Sequence, residues 1–198
     1  MITIDFETYS EVDLKLTDSY IYSVDPSTEI LCLTYKVGAA KSMLWTPGMP
    51  LPEFVMQKVK EGAKVQAHNA FFEYVIWNNV GNRYGFPPIA FSQMYDTAAK
   101  TAMHTLPRGL DGACAVLGLT NQKIKTSVLS KVSKPQKITK NQPLSRFTPD
   151  THPELFEYFL VVFIGQWCPV HHIFDHLFSI YKKEEHGQKY KSQRQKER

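Results

Sequence analysis

The first eight residues, Met1-Ile2-Thr3-Ile4-Asp5-Phe6-Glu7-Thr8, constrain this chain most. Ile2, Ile4 and Phe6 alternate with polar residues, the period of a β-strand that turns one face to a core. The same period puts Asp5 and Glu7 together on the other face, a few ångströms apart. Two carboxylates on a buried strand repel each other and lose hydration, so something must neutralise them. A divalent cation does this well, because carboxylate oxygens are the ligands that Mg²⁺ and Mn²⁺ prefer. The pair alone leaves a plainer alternative open, an edge strand whose acids face water.

Behind this strand the pattern alternates between periods. Residues 11–29 read as a polar connection, followed by strands at 30–37 and 42–45 whose 38–41 turn makes them an antiparallel hairpin. A helix at 51–61 is opened by Pro52 and stopped by Gly62. A short strand at 64–68, a helix at 70–79, a strand at 90–95 and helices at 97–104 and 110–117 complete the series. Three strands and then alternating helices and strands predict an α/β fold, a mixed sheet of about five strands with an antiparallel meander followed by parallel crossovers. Residues 120–149 have no period and contain Pro135, Pro143 and Pro149, the composition of a long loop. A last helix is expected from Thr151, with Glu154 at the capping-box spacing and a break at Pro169.

A chain of 198 residues holds one full core, expected over 1–181, and a charged tail at 182–198 that lacks the apolar residues to fold. The net charge of +4 conceals a division. Residues 112–149 carry seven basic side chains and no acid, the tail carries seven basic and three acidic, and the remainder has an acid excess of seven. An acidic centre with basic flanks suits a polyanion that reaches the acids through a metal. Cys32, Cys114 and Cys168 form neither a disulfide framework nor a zinc spacing, so a reducing cytoplasm is expected. No apolar run approaches the roughly 20 residues of a membrane span, and no signal peptide precedes the first strand, so no membrane partner is expected.

A second acidic element stands at 65–73, VQAHNAFFE. A strand ends at His68-Asn69 and Glu73 falls in the first turn of the next helix, which aims it at the carboxyl ends of the strands, where sites of open α/β sheets collect. Taken singly, Glu73 reads as a surface acid at a helix start, and His68 and Asn69 as a satisfied turn. Together, IDFET at the first strand, AHNAFFE at the fourth and YDT at 95–97 resemble the 3′–5′ exonuclease domain of phage-type family A DNA polymerases. This is the ribonuclease H-like, DnaQ-type superfamily of DEDD exonucleases. The resemblance continues through TEILCLTY, LWTPG, LPRGLDGACAVLGL and HPELFEYFL, and so covers nearly everything from Met1 to about Leu177.

The resemblance implies a ribonuclease H-like fold in which Asp5, Glu7 and Glu73 are the catalytic, metal-binding acids. They would hold two Mg²⁺ or Mn²⁺ ions for in-line hydrolysis of the 3′-terminal phosphodiester of single-stranded DNA. Thr8 and Asn69 match positions beside the terminal nucleotide, and Asp96 matches a supporting acid outside the metal shell. A polymerase domain or partner is implied as well, in a proofreading role.

The sequence departs from this family at its last motif, YxxxD, where a tyrosine positions the water and an aspartate binds metal. Ungapped extension places Val162 and Gln166 at those positions, a side chain without a hydroxyl and a neutral amide in place of a carboxylate. His171 and Asp175 share the i, i+4 spacing, but they lie nine residues further on and enter the site only through a register shift at Pro169. Two functions are therefore expected to compete: an exonuclease weakened by its degenerate last motif, and an inactive nuclease-like module that binds single-stranded 3′ ends.

Overall fold

The computed structural model describes residues 1–118, 147–157 and 159. The opening segment forms β1 (Ile2–Tyr9), which lies at the centre of a five-stranded sheet. On one side it pairs antiparallel with β2 (Glu29–Val37), which pairs antiparallel with β3 (Met43–Trp45). On the other it pairs parallel with β4 (Val65–Ala67), which pairs parallel with β5 (Met94–Asp96). The order β3-β2-β1-β4-β5 is the mixed, helix-flanked α/β sheet expected, and its arrangement is consistent with a ribonuclease H-like fold. Gly38, at a φ of 55°, turns β2 back into β3 in the backbone region that favours glycine.

The two faces of the sheet differ as the alternation in β1 requires. Ile2, Ile4 and Phe6 share one face with their antiparallel partners Tyr35 and Leu33 and with Trp45 beyond. That face is covered by α2 (Glu53–Lys60) through Val55, Met56 and Val59 and by α3 (Ala70–Val75) with the turns after it. Trp77 and Phe86 fill the middle, with ring centroids 4.9 Å apart, and the Trp77 indole donates to the Pro87 carbonyl at 2.7 Å. The other face carries Asp5 beside Thr34 and Leu44, and Glu7 beside Cys32. Part of it is closed by Phe147, Leu155, Phe156 and Phe159, packed on Cys32 and Leu44. Residues 153–157 are helical, so the expected last helix begins across the face that carries the acids.

Several elements differ from the pattern reading. The connection at 11–29 contains a helix, α1 (Ser19–Val24), capped by Asp18, whose carboxylate accepts from the Ile21 amide at 2.8 Å. Its six residues are too short to show a helical period in sequence, and it is held by burying Tyr22 and Ser23. The helix expected over 70–79 is α-helical only to Val75 and continues as a π-helix at Ile76–Val80. Asn78 explains the wider turn: its side chain bridges the Tyr74 and Ile89 carbonyls and accepts from the Ile89 amide. The strand expected at 90–95 is β5 alone, because Phe91–Gln93 form a 3₁₀ turn in which Gln93 reaches back to the Val59 and Ala63 carbonyls. α4 (Thr97–Met103) and α5 (Leu110–Val116) follow as expected. Most of the basic loop, Val162, Gln166, His171, Asp175 and the tail lie outside the described residues.

Candidate active site

β1 and β4 pair only at Ile2–Val65 and Thr3–Gln66, after which β4 ends and the chain turns away. Even-numbered residues of β1 aim their amides toward β4: that of Ile2 donates to the Lys64 carbonyl at 2.9 Å. Phe6 lies past the end of β4, so its amide has no strand partner on that side. Glu73 supplies one, its carboxylate accepting from the Phe6 amide at 3.1 Å. The acid from α3 is thereby held against the strand that carries Asp5 and Glu7, although 67 residues separate it from Phe6 in sequence.

The turn that delivers Glu73 depends on Asn69, which adopts left-handed backbone angles of φ 63° and ψ 54° and so reverses the chain from β4 into α3. Its amide donates to Asp96 at 3.1 Å, and the same carboxylate oxygen caps α4 through the Ala98 amide at 2.9 Å. Asp96 thus ties two adjacent turns at the carboxyl ends of β4 and β5. His68 is a strut between Thr97, at 3.1 Å, and the Arg108 carbonyl, at 2.7 Å. Burial holds its imidazole below the ordinary value. Thr8 is buried, and its hydroxyl is engaged by the Tyr22 phenol at 2.9 Å. Sequence reasoning missed Tyr22, whose only signal is an aromatic residue four positions after the capping Asp18.

A bulge between Glu7 and Thr8 shifts the register of β1 against β2 at the acidic end of the strand. The three acids sense one another. Burial pushes the Asp5 carboxyl up to about 7. Burial and then the charge of Asp5 push Glu7 up to about 8. Glu73, only 4% exposed, is raised by burial first and next by Asp5, with the Phe6 amide pulling it back. Such a site favours protons on its carboxyls, or a cation in their place. Beside it, the Gln66 amide donates to the Thr3 hydroxyl at 2.6 Å, while its carbonyl oxygen meets no donor among the described residues.

The donor set is all carboxylate oxygen and fits a hard divalent cation. Among the described residues, however, no group of three or more His, Cys, Asp or Glu is arranged as a ready metal cage. The carboxylate of Glu73 is turned to the Phe6 amide instead. A surface groove lined by Leu51, Phe54, Gln57, Lys60 and Pro87 includes none of these acids.

No family model matches this chain. The chain is similar to a DNA polymerase of Bacillus phage SP02, with 32% identity over 166 residues. The match covers 81% of this chain and 25% of that polymerase, so the chain spans about a quarter of the length of the curated relative it matches. No helix among the described residues is long and apolar enough to cross a membrane.

Proposed function

We propose that this chain is the 3′–5′ exonuclease domain of a phage-type DNA polymerase, hydrolysing the 3′-terminal phosphodiester of single-stranded DNA in a proofreading role. The reading is carried by the convergence of Asp5 and Glu7 on β1 with Glu73 from α3, three acids that burial raises, with the charge of Asp5 adding to the rise at Glu7 and Glu73. Similarity to a phage DNA polymerase supports it. Asp5, Glu7 and Glu73 would hold Mg²⁺ or Mn²⁺. Such ions would supply activation of the attacking water and charge neutralisation at the phosphate.

The chain's own groups do the rest. Asp5 and Glu7, fixed on a central strand, define where the phosphate can sit. Glu73, held by the Phe6 amide, would be the third acid to such an ion. Asn69 is exposed at the left-handed turn into the helix that carries Glu73, and would contact the terminal nucleotide. Asp96 fixes that turn and stays out of the metal shell. Thr8, next to Glu7 in sequence and held by Tyr22, would lie beside the terminal nucleotide.

A second reading has its own support. The absence of a preformed three-ligand group among the described residues, with Val162 and Gln166 in place of a tyrosine and an aspartate, fits a module that binds 3′ ends without cutting. Incubation with a 5′-labelled single strand and Mg²⁺ or Mn²⁺ separates the two. A ladder from the 3′ end that Asp5→Ala abolishes establishes the exonuclease. No ladder from the natural chain, with cutting restored by Val162→Tyr plus Gln166→Asp, shows a decayed exonuclease, and retention of the uncut labelled strand by the natural chain then supports the binding module. A ladder that persists in Asp5→Ala refutes the assignment of the site.

A further inference from the structure

The outer side of α3 carries an aromatic group that the acid site does not use. Phe71, two residues after Asn69, is 47% exposed and lies on the side of the helix away from Glu73. Its ring stands 6.4 Å from that of Tyr74 and 6.4 Å from that of Phe91. Tyr74 and Phe91 meet edge to face at 5.2 Å, and Phe91 itself is 57% exposed. The three rings brace one another, and those of Phe71 and Phe91 are left open to solvent, which costs hydration free energy unless something covers them. Cations accompany them. The Lys64 ammonium is fixed beside Phe91 by a 2.7 Å hydrogen bond to the Ser92 carbonyl. Further along the same sheet edge, the Lys100 ammonium sits 5.6 Å from the centroid of the exposed Tyr95 ring.

Exposed rings interleaved with fixed ammonium groups match the chemistry of a single-stranded nucleic acid, whose bases stack on aromatic faces while its phosphates pair with cations. The location fits a strand as well. Phe71 and Tyr74 lie on α3, which Asn69 opens, Phe91 lies on the 3₁₀ turn that leads into β5, which ends at Asp96, and Phe71 is less than one helical turn, about 5 Å, from Asn69.

We propose that Phe71, Tyr74 and Phe91, with Lys64 and Lys100, form a stacking platform for the nucleotides of a single strand upstream of the end that enters the acid site. The substrate class is single-stranded DNA, bound without sequence preference. The inference rests on the nuclease reading for its direction but is tested apart from it, by binding rather than cutting.

The probe is a fluorescein-labelled 12-residue oligothymidine, titrated with the full chain in EDTA so that no metal-dependent cleavage occurs. Phe71→Ala/Phe91→Ala is expected to weaken binding about tenfold or more, the scale of losing base stacking on two rings. Its melting temperature should hold, since both rings are exposed. Phe91→Trp is expected to keep the affinity, and its emission should be quenched as the oligonucleotide is added. Unchanged affinity in the double alanine variant, or no measurable binding by the natural chain, overturns the platform. Asp5-dependent cutting with unchanged binding in the double variant removes the platform and leaves the nuclease. Weakened binding without Asp5-dependent cutting leaves the platform and removes the nuclease.

Discussion

Replacing Asp5 with asparagine should make this protein more stable at alkaline pH in the absence of metal, and should do nothing for it in acid. The unfolded chain releases the Asp5 proton near the ordinary value of 3.8, and the folded chain holds it to about 7. Between those values the folded state binds more protons, so stability falls as pH rises. The loss levels off once the folded groups have ionised, near 8 for Glu7. At about 1.4 kcal/mol per pKa unit, a rise from 3.8 to about 7 corresponds to a cost of roughly 4 kcal/mol at pH 8. Glu7 and Glu73 keep their own share, and the new amide still needs hydrogen-bond partners, so about half, ~2 kcal/mol, is the expected gain of Asp5→Asn. For a chain of this size that is a rise of about 4–8 °C in Tm. Thermal melts of both proteins in EDTA from pH 4 to 9 measure it. The two curves should meet near pH 4 and diverge through neutrality, and added Mg²⁺ should stabilise the natural chain more than the variant. A variant no more stable than the natural chain at pH 8, or equally stabilised at pH 4, refutes the reasoning.

Glu73→Gln retains an oxygen for the Phe6 amide and removes a buried, raised acid, so it should melt at least as high as the natural chain while cleavage falls by roughly a hundredfold or more. Glu73→Ala leaves that amide buried without an acceptor and should cost about 1–3 kcal/mol in urea unfolding; equal losses in the two variants would contradict the role of this hydrogen bond. Gly81→Ala should destabilise by about 1–3 kcal/mol, since its new carbon would lie 2.8 Å from the Phe86 ring, which is wedged against Trp45 and Trp77. Gly62→Ala, with open space around it and a φ of 84°, should lose only the backbone strain, about 1 kcal/mol. A Gly81→Ala chain as stable as the natural one would mean that Phe86 can move.

Much of the arrangement around the acids is already present in the sequence. The alternation of Ile2, Ile4 and Phe6 with Asp5 and Glu7 assigns the two faces of β1, because side chains on a strand have a period of two and only one face can be apolar core. The hairpin of β2 and β3 follows from a glycine turn between two apolar runs, and the mixed sheet from the order of strand and helix periods. AHNAFFE marks a strand end, a turn and an acid one helical turn later, all local features.

Contacts between distant residues belong to the tertiary structure alone. That Glu73 rests on the Phe6 amide depends on the β1–β4 pairing ending at Thr3, three residues short of it, a register that sequence does not encode locally. That Asp96 holds both Asn69 and Ala98, and that Tyr22 reaches Thr8 from a six-residue helix, depends on which turns lie side by side. The π-helix at 76–80 arises from Asn78 bonding across to Ile89, and the shortening of β5 from Gln93 bonding back across to α2. In each case short-range propensity is weak and a long-range hydrogen bond or buried ring outweighs it. The pattern in β1 determines by itself that two acids share a face. Only the packed chain brings a third acid to them, buries all three and so raises their pKa values, because desolvation and charge act through space rather than along the sequence.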